Sequence, residues 1–282
     1  MEEKFMPKAI DRTQPPGTIQ DSTRLGIGIV IIGWLAFACM DAGSKILASS
    51  YPIVQILWVR YLLFVTVAYW LLKRKGMRMH SGRPLLQLTR GLLLVIEIGL
   101  VVYAFSKMEL ADVHAILAIT PLLVTALSVP LLGERVGVRR WSAVGVAFVG
   151  MLVILRPGLG VLQPITLLVL LSAFMFAIYL VLTRLISRTD PPEVSLFSIA
   201  ITGFIGLSAV VPFYWRMPTN AMDLGLFALV AVLGITAHFC LIKALQLAEA
   251  SVLQPYNYTV LVGAIVIGYA VFDDLPDLPT TV

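Results

Sequence analysis

Six ionisable side chains, Asp41, Arg60, Arg90, Glu97, His114 and His238, lie inside apolar runs of this 282-residue chain. A charge at membrane depth is costly unless it faces a wet cavity or a partner, so each is a candidate for function. Glu97 near the middle of its run has either a cavity or proton-linked role or a place in a fixed internal ion pair, and Arg90 either pairs elsewhere or reaches the cavity. An imidazole at His114 or His238 titrates near neutral pH and suits a gate or a proton relay, with a packing role as the alternative. Asp41 and Lys45 stand four apart on one helix face, so they either neutralise each other or leave Asp41 to meet a solute ammonium. Arg90 precedes Glu97 by seven residues on the same face, roughly 10 Å away at 1.5 Å per residue, too far for a direct bond. Arg60 reads first as a packing or carbonyl-binding group, with substrate contact as the alternative. Cys39 and Cys240 both fall in apolar runs, which argues against a structural disulfide, and no Cys/His spacing suggests a metal.

Aromatic residues form the second set of candidates. Trp34, Tyr103, Tyr179, Tyr256 and Tyr258 lie within or at the ends of apolar runs, whereas Trp70, Trp141, Tyr214 and Trp215 fall where interfacial belts are expected. A tyrosine offers an apolar ring with a polar tip, suited to a cavity for amphipathic solutes, although plain packing is the ordinary use of any one ring. Pro255-Tyr256-Asn257-Tyr258 is the densest polar-aromatic cluster in any run. Proline at Pro255 or Pro121 removes a backbone donor and exposes a carbonyl, and Asn257 both donates and accepts. Such a break either binds a zwitterion at a cavity or is a simple kink.

These residues must be positioned by helices that cross a bilayer. Hydrophobic residues make up 59% of the chain, charged residues only 13%, and the mean hydropathy is +0.92, far from a soluble domain. Apolar stretches of about 20 residues recur, the length needed to span ~30 Å of hydrocarbon. Nine spans are expected, at 25–45, 52–72, 84–105, 111–132, 141–155, 162–182, 194–213, 224–242 and 251–272. Residues 1–24 read as a polar tail with no cleavable leader pattern. Sorting the basic residues with that tail on the cytoplasmic side places 15 inside, 4 outside and 2 within spans (Arg60 and Arg90), so the N-terminus is expected to be cytoplasmic. The same sorting makes lipid the natural partner of this basic chain and argues against nucleic acid.

The chain also repeats itself. Residues 111–135, ADVHAILAITPLLVTALSVPLLGER, share their outline with residues 251–275, SVLQPYNYTVLVGAIVIGYAVFDDL, at an offset of 140. Glu109 pairs with Glu249, Ala111 with Ser251, and Gly133-Glu134 with Asp273-Asp274, while Pro121 pairs with Leu261. The exit of the first copy is basic and that of the second acidic, as expected if one unit was inserted in opposite orientations. A repeat within a chain this apolar is a mark of transporters.

Residues 90–116, RGLLLVIEIGLVVYAFSKMELADVHAI, and the following TPLLVTALSVPLLGERVGVRRWSAVGVAFVGMLVILRPG resemble the EamA-type members of the drug/metabolite transporter superfamily. The acidic FDDLPD of the second half is similar to the YddG-like amino-acid exporters. The resemblance covers nearly all of residues 25–277. It implies an all-α polytopic membrane protein of two inverted five-helix repeats, ten helices around a central substrate cavity. Residues 25–156 would form the first repeat and 157–282 the second, in which four spans are visible and the tenth helix is missing.

The expected function is therefore secondary export of amino acids, aromatic and other neutral ones above all, across a bacterial inner membrane by alternating access. No nucleotide-binding motif is present, so the energy is expected from gradients or from facilitation. The alternative substrate is another small metabolite, such as a nucleotide precursor or a vitamin. A phosphorylated solute would want several convergent basic groups, and only Arg60 and Arg90 lie in the core. No pattern of an integral-membrane enzyme is present. A monomer without cofactor is expected. Trp34, Asp41, Glu97, Tyr103, His114, Tyr179, His238, Tyr256 and Asn257 are the cavity candidates; Lys45, Arg60, Arg90, Pro121 and Pro255 are the structural or gating ones.

Overall fold

The computed structural model describes residues 16–77, 80–138, 163–218 and 220–273, with residues 141, 142, 145, 146 and 149 between them. The described residues form α1 (Pro16–Ala48), α2 (Ile53–Arg74), α3 (Pro84–Phe105), α4 (Leu110–Leu117) and α5 (Thr120–Leu132) in the first half. The second half holds α6 (Pro164–Ile186), α7 (Pro192–Ser208), α8 (Ala221–Leu247), α9 (Ala250–Leu253), a 3₁₀ turn at Gln254–Asn257, and α10 (Tyr258–Phe272). Seven helical segments among the described residues are long and apolar enough to cross a membrane, counting α4–α5 and α9–α10 as one each. The chain is an all-α, multi-pass membrane protein.

Local sequence sets where the helices start and stop. Pro84, Pro164 and Pro192 open α3, α6 and α7, positions where a missing N–H costs nothing. The side chain of Asn220 caps α8 by accepting from the Asp223 N–H at 2.7 Å. The expected span 194–213 is cut short: α7 ends at Ser208 and Val211–Phe213 is a 3₁₀ turn. Pro212 explains this, because its ring would press on the carbonyl of Ser208. The expected span 141–155 falls mostly outside the described residues.

The repeat is visible in the backbone. Both broken helices cover the same length, residues 110–132 and 250–272, at the offset of 140. Glu109 and Glu249 precede them in the same extended conformation, with ψ of 151° and 145°. Gly133 and Asp273 end them in the same left-handed conformation, with φ of 66° and 57°. The first copy uses glycine there, which carries no steric penalty, and the second an aspartate, which tolerates this region better than most residues. The breaks nearly coincide although the prolines do not: residues 118–119 against 254–257, which pair with 114–117. Packing exchanges the halves as well. Helix α1 packs on α8 and α10, while α6, its counterpart, packs on α3 and α5; α2 meets its own counterpart α7.

Most of the positive charge at chain turns gathers at one end, where Lys73, Arg74, Lys75, Arg83, Arg135, Arg184, Arg188 and Lys243 lie. At this basic end Asp190, 4% exposed, is a hub. Its carboxylate accepts from the Ser81 hydroxyl, from the Gly82 N–H at 3.2 Å and from Gln87 Nε2 at 2.9 Å. Its backbone oxygen accepts from Gln246. The α2–α3 connection is thereby tied to the α6–α7 connection and to α8. Burial alone would raise the Asp190 pKa, but hydrogen bonds from Ser81, Gln87, Gly82 and Thr189 outweigh it and hold it below the ordinary carboxyl value.

A carboxyl depressed in the folded state contributes stability above its unfolded pKa of about 3.9 and loses it as pH falls through the folded value. Asp190→Ala should therefore cost about 2–3 kcal/mol at neutral pH. In thermal unfolding in detergent, the gap between the two proteins should stay constant above about pH 5 and close in stronger acid. At the far end, Gln55 clasps the Arg216 backbone from both sides, accepting at 2.8 Å and donating at 2.6 Å.

Candidate substrate cavity

The helices converge on a cavity of about 80 Å³. On the scale in which one water needs ~10–15 Å³, this holds roughly five to eight waters. Its α3 wall is Leu94, Glu97, Ile98, Val101 and Val102, one face at helical spacing. Helix α1 gives Trp34, Phe37, Met40 and Asp41, and α6 gives Phe176. Arg60 of α2 and His238 of α8 enter from one side. His114, Ala118 and Thr120 at the first break face Asn257 and Tyr258 at the second. Tyr258 Oη donates to the Ala118 carbonyl at 3.3 Å, so positions paired across the repeat touch each other at the cavity.

The polar groups are arranged unequally. Arg60 is 1% exposed and its Nη2 lies 3.2 Å from His238 Nε2. Arginine only donates, so His238 Nε2 accepts and Nδ1 carries the hydrogen toward Tyr179 Oη, 3.4 Å away. Phe37 and Phe64 hold the imidazole from its sides. The other two donor positions of Arg60, Nε and Nη1, have no hydrogen-bond partner among the described residues, nor do Trp34 Nε1 and Thr120 Oγ1. Asp41 and Glu97, 8% and 6% exposed, are the cavity's carboxylates, and both lie within electrostatic range of Arg60. Asp41 Oδ2 approaches His114 Nε2 to 3.3 Å without hydrogen-bond geometry. The cavity thus offers one unsatisfied planar cation and two carboxylates within an aromatic and aliphatic wall.

Gly234 of α8 makes room for Arg60. A Cβ there would stand 3.0 Å from Arg60 Nε and 3.1 Å from Met40 Sδ. Gly234→Ala should displace the guanidinium by a few tenths of an ångström and weaken substrate affinity about tenfold, with little loss of stability. Titration of substrate against the purified variant checks this.

Several candidates from the sequence lie elsewhere. Tyr103 is 42% exposed, beside Lys107 in a surface groove at the far end, because it falls one residue beyond the α3 face that ends at Val102. Tyr179 is fully buried one layer behind the cavity, stacked on Phe176. Tyr256 packs partly buried against the core, and Pro255 points outward from the 3₁₀ turn, leaving Asn257 to face the cavity. Pro121 is buried at the start of α5 and produces the break before it. Arg90 is bound in the protein: Nη2 donates to the Ser195 carbonyl at 2.7 Å and Nη1 to Thr183 at 3.4 Å. Lys45 sits over the Phe272 ring at 4.7 Å. Phe176, Thr120 and Phe37 were not candidates, since a phenylalanine or threonine in an apolar run carries no sign of cavity exposure.

Known proteins place the architecture. Residues 24–156 and 163–282 each match the model of the EamA-like transporter family. The S-adenosylmethionine uptake transporter of Rickettsia bellii is 25% identical over 91% of this chain and 88% of its own. The riboflavin transporter of Vibrio cholerae is 28% identical over 86% and 83%. The pseudopaline exporter of Pseudomonas aeruginosa is 22% identical over 93% of both chains. A solved crystal structure shares the fold at a TM-score of 0.71 and 16% identity, covering 93% of this chain and 92% of that one. Two copies of one transporter unit, matched separately and joined around a shared cavity, make this chain a member of the EamA-like transporter family.

Proposed function

We propose that the protein is an inner-membrane secondary transporter that exports amino acids and related small zwitterions, without altering them chemically. The observation that supports this most is the pairing of Arg60, with two unused donors, with the carboxylates Asp41 and Glu97 in one apolar cavity. A guanidinium fork suits a solute carboxylate, and the two acids suit its ammonium. Trp34, Phe37 and Phe176 suit an aromatic or branched side chain. The basic end faces the cytoplasm in this reading, which places the N-terminus there too. The halves rock about the cavity to expose it to either side, and a monomer suffices.

A second reading, a ring-bearing metabolite such as a vitamin, is favoured by the riboflavin transporter among the relatives. The modest cavity favours the smaller solute. Expression in cells challenged with toxic amino-acid analogues tests the first reading directly. Protection against zwitterionic analogues supports it; unchanged sensitivity to all of them overturns it.

A further inference from the structure

We propose that Glu134 is the latch that shuts the cavity at the basic end, and that its release opens the cavity there. The proposal rests on the alternating-access reading above. On the two broken helices the cavity lining ends at Thr120 in the first copy and begins at Asn257 in the second, so the rest of α5 and all of α9 lie between the cavity and the basic end. Leu132 lies roughly 18 Å along the helix from Thr120. There the end of α5 is gripped by the second half at three points.

Glu134, 6% exposed, accepts from the Ala250 N–H at 3.0 Å through Oε1 and from the Ser251 N–H at 3.1 Å through Oε2. Arg188 Nη2 donates to the Leu132 carbonyl at 3.1 Å. Arg184 Nε stands 3.7 Å from Glu134 Oε1 while its Nη1 donates to the Leu245 carbonyl. Gly133, at φ 66°, provides the turn that aims Glu134 back at the first amides of α9. Except for the Arg184 bond to Leu245, these contacts cross between the two halves, and a relative rotation of the halves must break them together. The two Glu134 bonds are charge-assisted contacts to otherwise orphaned helix-start amides, strong enough to hold a state and few enough to release. The carboxylate therefore acts as a two-position contact rather than as core.

The test is a cysteine reporter at the cavity. Val260 lines the cavity; Val260→Cys is placed in protein whose Cys39 and Cys240 are changed to serine, and the protein is reconstituted in liposomes. An impermeant maleimide is applied from the basic face. Glu134→Gln removes the charge facing Arg184 at nearly constant shape. Ala250→Pro removes one of the two amide donors, at a first-turn position after an extended residue (Glu249, ψ 145°) that accepts proline. Each should raise labelling from the basic face about fivefold or more, the effect of losing about 1 kcal/mol, and lower it from the far face. If Glu134→Gln does not fold, Ala250→Pro carries the measurement alone. Parent and variants labelled equally from the basic face would overturn the latch while leaving alternating access intact. A reporter that reacts from the far face and never from the basic face, in any variant, would overturn both.

Discussion

Arg60→Met should weaken transport of zwitterions severely in a protein that still inserts and purifies as a single species. Truncating one partner of a buried, hydrogen-bonded charge contact costs about 2–5 kcal/mol, at least roughly 30-fold in affinity. Met matches the length of the apolar stem, so packing against Met40 and Gly234 is largely kept, while both unpaired donors and the contact to His238 go. Arg60→Lys should recover part of the affinity, since it restores the charge without the planar fork. Measured as concentration-dependent uptake into liposomes, the loss should appear mainly in KM for the methionine variant. An effect of equal size on a solute lacking a carboxylate would show that Arg60 acts on the fold alone.

The second large effect concerns the cavity's acidic groups. Asp41→Asn and Glu97→Gln each replace a carboxyl group of the cavity by an amide at nearly constant volume. Each should weaken binding of ammonium-bearing solutes about tenfold, and the double variant by more than either, because both act on the same solute group. N-acetylated solutes, which carry no ammonium, should bind the variants as well as they bind the parent. Equal losses for acetylated and free amino acids would contradict this role. Asp41 also loses its contact to His114 in this experiment, so Asp41→Asn should show the greater change in unfolding temperature.

How far the sequence discloses this site depends on what each residue costs in a membrane. Asp41, Arg60, Glu97, His114 and His238 stand out because an ionisable group in an apolar run demands a reason, and all five line one cavity. Trp34 and Asn257 stand out as polar-tipped groups in the same setting. The tyrosines separate poorly, since a tyrosine at a span end has two natural uses: Tyr103 faces outward and Tyr179 supports His238 from behind. Arg90 resembles Arg60 in sequence, yet its partners, Ser195 and Thr183, come from elements 90 or more residues away. No local pattern discloses that pairing.

The helix repeat was legible for a different reason: its punctuation is local. Paired Glu109 and Glu249 at the starts and Gly133 and Asp273 at the ends fix the two broken helices without tertiary information. The function of the Gly-Glu-Arg exit was not legible, because a polar residue after a span normally reads as solvated. Burial of Glu134 depends on the amides of Ala250 and Ser251, 116 and 117 residues on. Asp190 is similar: its one available signal is an acid set among Arg184 and Arg188 at an otherwise basic end.

The most direct test of the central claim is counter-exchange by the purified protein in liposomes. Vesicles loaded with an unlabelled neutral amino acid should take up the labelled one, and free zwitterions should compete. Decarboxylated and N-acetylated analogues should each compete weakly, because each engages only Arg60 or only Asp41 with Glu97 in the cavity that all three line. Exchange of none of the twenty amino acids by folded protein would contradict the account.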